Sequence, residues 1–532
     1  MKTNYFTMSI LMVSLSAFTA CMDYDELNRN PNKSTDMDPN LQIATVQMRP
    51  SENHQEWHRY LSYPAGFMNQ WAGDWATIQY GGHASKYAAF TEQMWTAYYP
   101  FIIRDVVDVV QRTKNNPERV NVHSAARILR VENFLKLTDF YGDIPYFDAG
   151  MGYYNGQLKV KYDRQEDIYN DFFKELSEAS AALTTGGDLL THDLYFNGNI
   201  EKWKRFANSL HLRIAMRLIK VNPAKAREEA EKAIAAGVMQ SNDDICYVKH
   251  ENYQNPGSGE GPGNGLATRL STPEDPTTSN FRITTELITA MAALKDPRIP
   301  YYARSYFTDG VRTDITDQVY AALGGDWTMM TVPAQMFTWD IWTPAISVII
   351  NGATVEVAHT WQRMQPSKMI TAYDAPFIHF SYAETEFLLA EAAVRGWNVS
   401  GSAQSHFDKA LEAAVRQWSL FGVQNFNDGA IAQFVAANQL TAGNELMQIN
   451  TQLWILHFLD PMETWANWRR TGMPDILFYN RYPNENQSNG QAPRRLEYPL
   501  DEQMKNPENY KEAVDRMGGT DSWTNRVWWD KN

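Results

Sequence analysis

The sequence predicts a mainly α fold: a tetratricopeptide-like scaffold of helical hairpins carrying a loop-rich face with short strands. Three observations predict it. Apolar residues recur at spacings of three and four over long stretches, as in helices with one buried stripe. These stretches arrive in pairs, separated by glycine and asparagine. Between the pairs lie segments rich in Gly, Pro, Ser, Thr and large aromatics, in which no helical period runs. No strict repeat of about 34 residues is present, so the hairpins are degenerate.

The chain opens with Lys2 and an apolar run from Phe6 to Phe18, the pattern of an export signal. This run is shorter than the ~20 apolar residues a membrane-crossing helix needs, and strongly polar sequence follows at once. Thr19 and Ala20 before Cys21 resemble a bacterial lipobox, with Phe18 standing where leucine is usual. Residues 1–20 are therefore expected to be a cleaved lipoprotein signal peptide, and Cys21 to carry the lipid. Residues 21–40, polar and holding Pro31 and Pro39, read as a lipid-anchored tether. Residues 41–532 are expected to form one domain. Its single cysteine, Cys246, has no partner for an intrachain disulfide, so the fold must stand on its apolar core.

In residues 123–149, Ile128, Val131 and Leu135 form one stripe, and Gly142 and Pro145 stop the helix. Residues 166–183 and 200–219 are amphipathic in turn, the second along Trp203, Phe206, Leu210 and Ile214. Residues 224–237 add a short alanine-rich helix. Residues 251–280 are too rich in Gly, Pro, Ser and Thr to bury a core and read as loop. The stretch 321–365 is too apolar for a linker and too irregular for a helix, and is expected to lie over the scaffold as loops with short strands. Residues 382–396 carry apolar flanks on two sides of a polar strip of Glu384, Glu391 and Arg395, which predicts a helix sandwiched between neighbours. After Gly396 and Gly401, Phe407, Leu411, Ala414 and Trp418 keep step in the partner helix.

With 48 Lys and Arg against 62 Asp and Glu, the net charge is −14. This argues against nucleic-acid binding, which demands clustered cations. The glycine run 255–265 lacks the Lys-Ser/Thr continuation of a phosphate cradle and reads as a flexible loop. His54 and His58 lie four apart, but the glutamate of a metalloprotease helix and a third ligand are missing, so no metal is expected. Cys246 reads as a small buried residue. Carboxylate pairs suited to sugar hydrolysis cannot be picked from 62 acids, and no local motif nominates one. The balance favours a binder that is not an enzyme and uses no cofactor.

Two aromatic clusters remain. Residues 69–83 interleave Trp71, Trp75 and Tyr80 with Asn69, Asp74 and Gln79; residues 324–344 hold Trp327, Trp339, Asp340 and Trp342. A sugar ring has an apolar C–H face that stacks on indole, and hydroxyls that need carboxylate or amide partners. Trp71, Asp74, Trp75, Tyr80, Trp327, Trp339, Asp340 and Trp342 are thus the candidate substrate-binding residues. A peptide groove uses the same side chains.

Several stretches together resemble the SusD/RagB family of outer-membrane nutrient-binding lipoproteins: residues 125–149, 203–218, 382–397, 465–474 and 493–513. The helix ending in Phe-Tyr-Gly-Asp-Ile-Pro and the late Arg-Arg-Leu-Glu-Tyr-Pro carry the likeness. It implies four tetratricopeptide-like hairpins supporting a loop-rich binding face. It also implies a SusC-like TonB-dependent outer-membrane transporter as partner, and capture of oligosaccharides or, in RagB-like relatives, peptides. Asp23, Asp25 and Glu26 are similar to the signal that sends such lipoproteins to the cell surface. The family's motifs are structural and transfer no ligand-contacting residue. A glycoside hydrolase is the alternative from another class.

Overall fold

The computed structural model describes residues 37–52, 60–73, 77, 81–255, 261–271, 281–309, 311–334, 336, 345–357, 364–476 and 486–532. Residues 1–20, where a leader is expected, Cys21, most of the expected tether, and His54 and His58 lie outside the described residues.

The longer helices are α1 (Pro39–Glu52), α2 (Arg104–Thr113), α3 (Val120–Tyr141), α4 (Gln165–Ala182), α5 (Ile200–Arg217), α6 (Pro223–Ala236) and α7 (Thr285–Ala293). They continue with α8 (Tyr382–Val394), α9 (Ala403–Arg416), α10 (Asp428–Ala437), α11 (Glu445–Leu456), α12 (Pro461–Thr471) and α13 (Pro507–Arg516). Their ends follow local chemistry. The side chains of Asn199, Asn222, Ser381 and Ser402 accept from the backbone N–H three residues on, satisfying donors that the first helical turn leaves open. Helix α3 stops at Gly142, whose φ of 83° a residue with a Cβ adopts only under strain.

Four helix pairs, α3/α4, α5/α6, α8/α9 and α11/α12, pack face to face, and their first members touch in succession along the stack. This is the expected hairpin scaffold. Small side chains line its seams: Ala226, Ala230 and Ala233 on α6, and Ala383, Ala390, Ala410 and Ala414 between α8 and α9, are all buried. Helix α8 packs on α5, α9 and α11, as its two apolar flanks require.

The polar strip of α8 is buried as well and is satisfied by arginines from neighbouring repeats. Glu384 receives Arg213 of α5 at 2.5 and 2.6 Å. Glu391 receives Arg470 of α12 at 2.7 and 2.8 Å, with Arg395 beside it. Arg217 of α5 meets Glu463 of α12 at 2.5 Å and Asp139 of α3 at 3.3 Å. Burial works to raise the Glu391 carboxyl, but the charges and hydrogen bonds of Arg470 and Arg395 overcome it and hold the group down at about 2. These pairs clip successive repeats together.

The ten strands among the described residues are short and paired in twos; six of them are β1 (Trp71–Ala72), β2 (Cys246–Val248), β3 (Arg282–Ile283), β4 (Ile346–Ile350), β5 (Ala353–Val357) and β6 (Phe377–Phe380). These six pair antiparallel as β1 with β3, β2 with β6, and the β4–β5 hairpin. Asn351 and Gly352, at φ 51° and 81°, make the tight turn of that hairpin. The expected short strands of 321–365 are therefore present. Residues 251–280 differ from expectation, because Asn264 caps a short helix, Gly265–Leu270, that buries Leu266 and Leu270. Cys246 is buried in β2, and burial pushes its thiol well up, leaving a packing residue.

Candidate ligand-binding face

The described ends of the two aromatic segments, residues 69–73 and 331–334, come together on residues 282–286. Strand β1 pairs with β3 through Trp71↔Ile283 and Ala72↔Arg282. The next residue, Thr284, donates its hydroxyl to the Asn69 carbonyl at 2.6 Å and its N–H to Gln70 at 3.4 Å. On its other side it bridges Val332, and the Thr285 N–H donates to the Val332 carbonyl at 3.0 Å. Thr285 and Thr331 join hydroxyls at 2.8 Å, and the Ala334 N–H donates to Glu286 at 2.9 Å. Ala72, Val332 and Met336 form a small apolar cluster apart from the main core. Residues 282–286 thus fasten both segments side by side.

The first segment is pinned at its base. Gly66 and Gly81 approach so closely that a Cβ on Gly66 would lie 2.5 Å from the Thr77 carbonyl oxygen and 2.8 Å from the Gly81 Cα. One on Gly81 would lie 2.5 Å from the Ser62 carbonyl oxygen. Only glycine permits this crossing of backbones.

The structure corrects Trp71. Its indole is 1 % exposed, stacks on Phe458 at 4.4 Å and 12°, and donates Nε1–H to the Phe458 carbonyl at 3.3 Å. Both its apolar face and its polar edge are used within the core, so Trp71 anchors the segment and offers no surface to a ligand. Trp327 is half-buried, stacked on Tyr320 at 4.1 Å and 25°. Tyr320 belongs to the short helix Thr316–Ala322, and the Gly324–Gly325 turn, both at positive φ, folds Trp327 back over it. Asp326 is exposed and accepts from the Thr328 N–H and hydroxyl, fixing the turn. Asp74, Trp75, Tyr80, Trp339, Asp340 and Trp342 lie outside the described residues. Sequence reasoning missed Tyr320; its signal was the large aromatic seven residues before Trp327 across a Gly-Gly turn.

The half-buried Tyr320–Trp327 stack beside the exposed Asp326 suits a ligand that is apolar on one face and hydroxylated at its rim. The carboxylates most strongly held down, Glu384 and Glu391, are instead sealed in the scaffold against arginines. Among the described residues no group of three or more His, Cys, Asp or Glu is placed to hold a metal ion. No described helix is long and apolar enough to cross a membrane.

Residues 31–499 match the model of a SusD-like family described as starch-binding and associating with the outer membrane. Among solved structures, the chain is similar to a chitin-binding protein at 34% identity and a TM-score of 0.79, over 93% of this chain and 100% of that one. It is similar to a SusD-like protein of Bacteroidetes AC2a at 32% identity and a TM-score of 0.84, over the same shares. A chitin-binding SusD homolog from Flavobacterium johnsoniae shares the fold at 24% identity and a TM-score of 0.68, over 92% of this chain and 97% of that one. No curated protein matches.

Proposed function

We propose, from the premise that this chain belongs to the SusD-like family of starch-binding proteins associating with the outer membrane, that it binds oligosaccharides and delivers them to a SusC-like TonB-dependent transporter. The observation that carries the reading is the fastening of two segments, both holding several Trp together with Asp, on residues 282–286, next to the Tyr320–Trp327 stack. Stacked aromatics hold sugar rings by their C–H faces, and carboxylates at the rim take up the hydroxyls. Asp74, Trp75, Tyr80, Trp339, Asp340 and Trp342 belong to this proposal by their place in those two segments; Trp71 supports it from beneath.

Two similar structures are of chitin-binding proteins, so oligosaccharides of β-linked N-acetylglucosamine are the first ligands to test. Titration calorimetry across chitin, starch and oligopeptide fragments is expected to yield binding to a saccharide. Trp327→Ala is expected to weaken it about tenfold, or about 1.4 kcal/mol. Unchanged affinity in that variant overturns the site, and binding of oligopeptides alone turns the reading to a RagB-like one. The lipid anchor is proposed at Cys21 within the leader pattern. Cys21→Ala is expected to move the protein from the membrane fraction to the soluble one on cell fractionation; persistence in the pellet overturns the anchor.

A further inference from the structure

A second cleft, of about 390 Å3, lies between α2, α3 and α4, roofed by the loop that carries Phe147 and Met151. Its size falls within the range of small-molecule sites, about 300–1,000 Å3. Its charge runs against that of the whole chain. Lys114, Arg127, Arg130 and Lys174 line it against two carboxylates, Glu175 and Glu178, in a protein of net charge −14.

The two arginines differ. Arg127 is committed: its Nε and Nη2 donate to both oxygens of Glu175 at 2.9 and 3.0 Å, and Nη2 also to Glu178 at 2.5 Å. Arg130 is not. Its side chain is 13 % exposed, its guanidinium lies 4.2 Å over the Tyr146 ring, and its carboxylate neighbours stand off at 3.5 Å (Asp171) and 3.9 Å (Glu175). The Tyr146 hydroxyl donates to the same Asp171 oxygen at 2.6 Å. Beyond these two ion pairs the Arg130 guanidinium makes no hydrogen bond among the described residues, so its planar fork lines the cleft with N–H donors to spare. It is held flat by a ring, in the geometry that receives a carboxylate side by side. At the lip, Phe147 is 44 % exposed, an apolar surface beside the charge.

We infer that this cleft is a second saccharide site, selective for acidic sugars: Arg130 receives the carboxylate of a uronic acid residue and Phe147 stacks on the ring's C–H face. Lys174 and Lys114, both exposed at the rim, add long-range attraction that salt weakens. The charge selectivity stands on the cleft alone, whereas the choice of a saccharide rests on the glycan-binding reading above.

The test uses the folded chain, a glucuronate-terminated disaccharide, its neutral glucose-terminated counterpart and inorganic sulfate, followed by calorimetry. The acidic disaccharide is expected to bind at least tenfold more tightly than the neutral one, with affinity falling as salt rises. Arg130→Gln is expected to lose at least tenfold and Phe147→Ala severalfold, while Trp327→Ala leaves acidic-sugar binding unchanged. Should Arg130→Gln melt well below the parent, Lys174→Gln, at the exposed rim, is expected to show a severalfold loss in its place. Equal binding of the two disaccharides, or unchanged affinity in Phe147→Ala together with Arg130→Gln or its substitute, overturns the inference. Sulfate displacing the acidic disaccharide at equal concentration overturns its saccharide part. Loss of acidic-sugar binding in Trp327→Ala places that binding at the first face and overturns the second site. Neutral glycan binding that survives in Arg130→Gln keeps the first reading intact whatever the fate of the second.

Discussion

Arg470→Met is expected to destabilise the protein by about 3–5 kcal/mol, because it strands the Glu391 carboxylate inside the scaffold. Both side chains of this pair are 0 % exposed. Arg395 remains bonded to Glu391, but it is partly exposed and reaches the carboxylate from the same helix. Arg470 alone ties α12 to α8 at this point and also engages Asn467. Urea unfolding measures the loss. Removing both charges with Glu391→Leu and Arg470→Met is expected to restore most of it, since the penalty belongs to the unpaired ion. The acid limb of stability follows from the same pair. With its folded value held at about 2 against an ordinary value near 4.5, Glu391 contributes about 3 kcal/mol at neutral pH. That contribution is complete above about pH 4.5 and drains away as pH falls toward about 2. In Arg470→Met the carboxyl loses its main opposing charge, so protonating it relieves the stranded ion, and the stability gap between variant and parent is expected to narrow as pH falls from about 4.5 toward about 2. An unfolding midpoint and an acid limb both identical to the parent's would remove the pair from the stability argument.

Gly81→Ala is expected to abolish binding at the candidate face while sparing the helix pairs. Its new Cβ meets main-chain atoms only: the Ser62 oxygen at 2.5 Å, the Gly66 Cα at 3.0 Å and the Tyr63 oxygen at 3.1 Å. No side chain can rotate away, so one backbone must retreat, at a cost of about 1–3 kcal/mol. The same crossing makes Gly66→Ala equivalent, and the double variant is expected to lose less than the sum, because one displacement relieves both clashes. Calorimetry with the saccharide and far-ultraviolet circular dichroism together check this. Retained affinity, or loss of helix along with affinity, defeats it.

The helices were legible because their causes are local. The stop at Gly142, the asparagine and serine caps, and the two greasy flanks of residues 382–396 each act within a turn or two. The Asn351–Gly352 turn was written in the chain too, although only its neighbourhood, not its register, could be read. The fate of Trp71 was not legible. Its ring is claimed by Phe458, hundreds of residues away, and nothing near position 71 distinguishes a buried indole from an exposed one. The junction at Thr284 was equally hidden, since its partners Asn69 and Val332 lie far off on either side in the chain. The open fork of Arg130 escaped notice because the ring and carboxylates that hold it, from Tyr146, Asp171 and Glu175, lie well beyond it in the chain.

Much of the junction at Thr284 is written in main-chain atoms: N–H groups reaching the carbonyls of Gln70 and Val332. Such contacts are indifferent to which side chains follow them. Side chains between Gly73 and the Gly66–Gly81 crossing, and beyond Met336, can thus be rewritten while these main-chain contacts stay in place, like interchangeable heads on one handle. Variation confined to the head would leave the stack of hairpins underneath untouched.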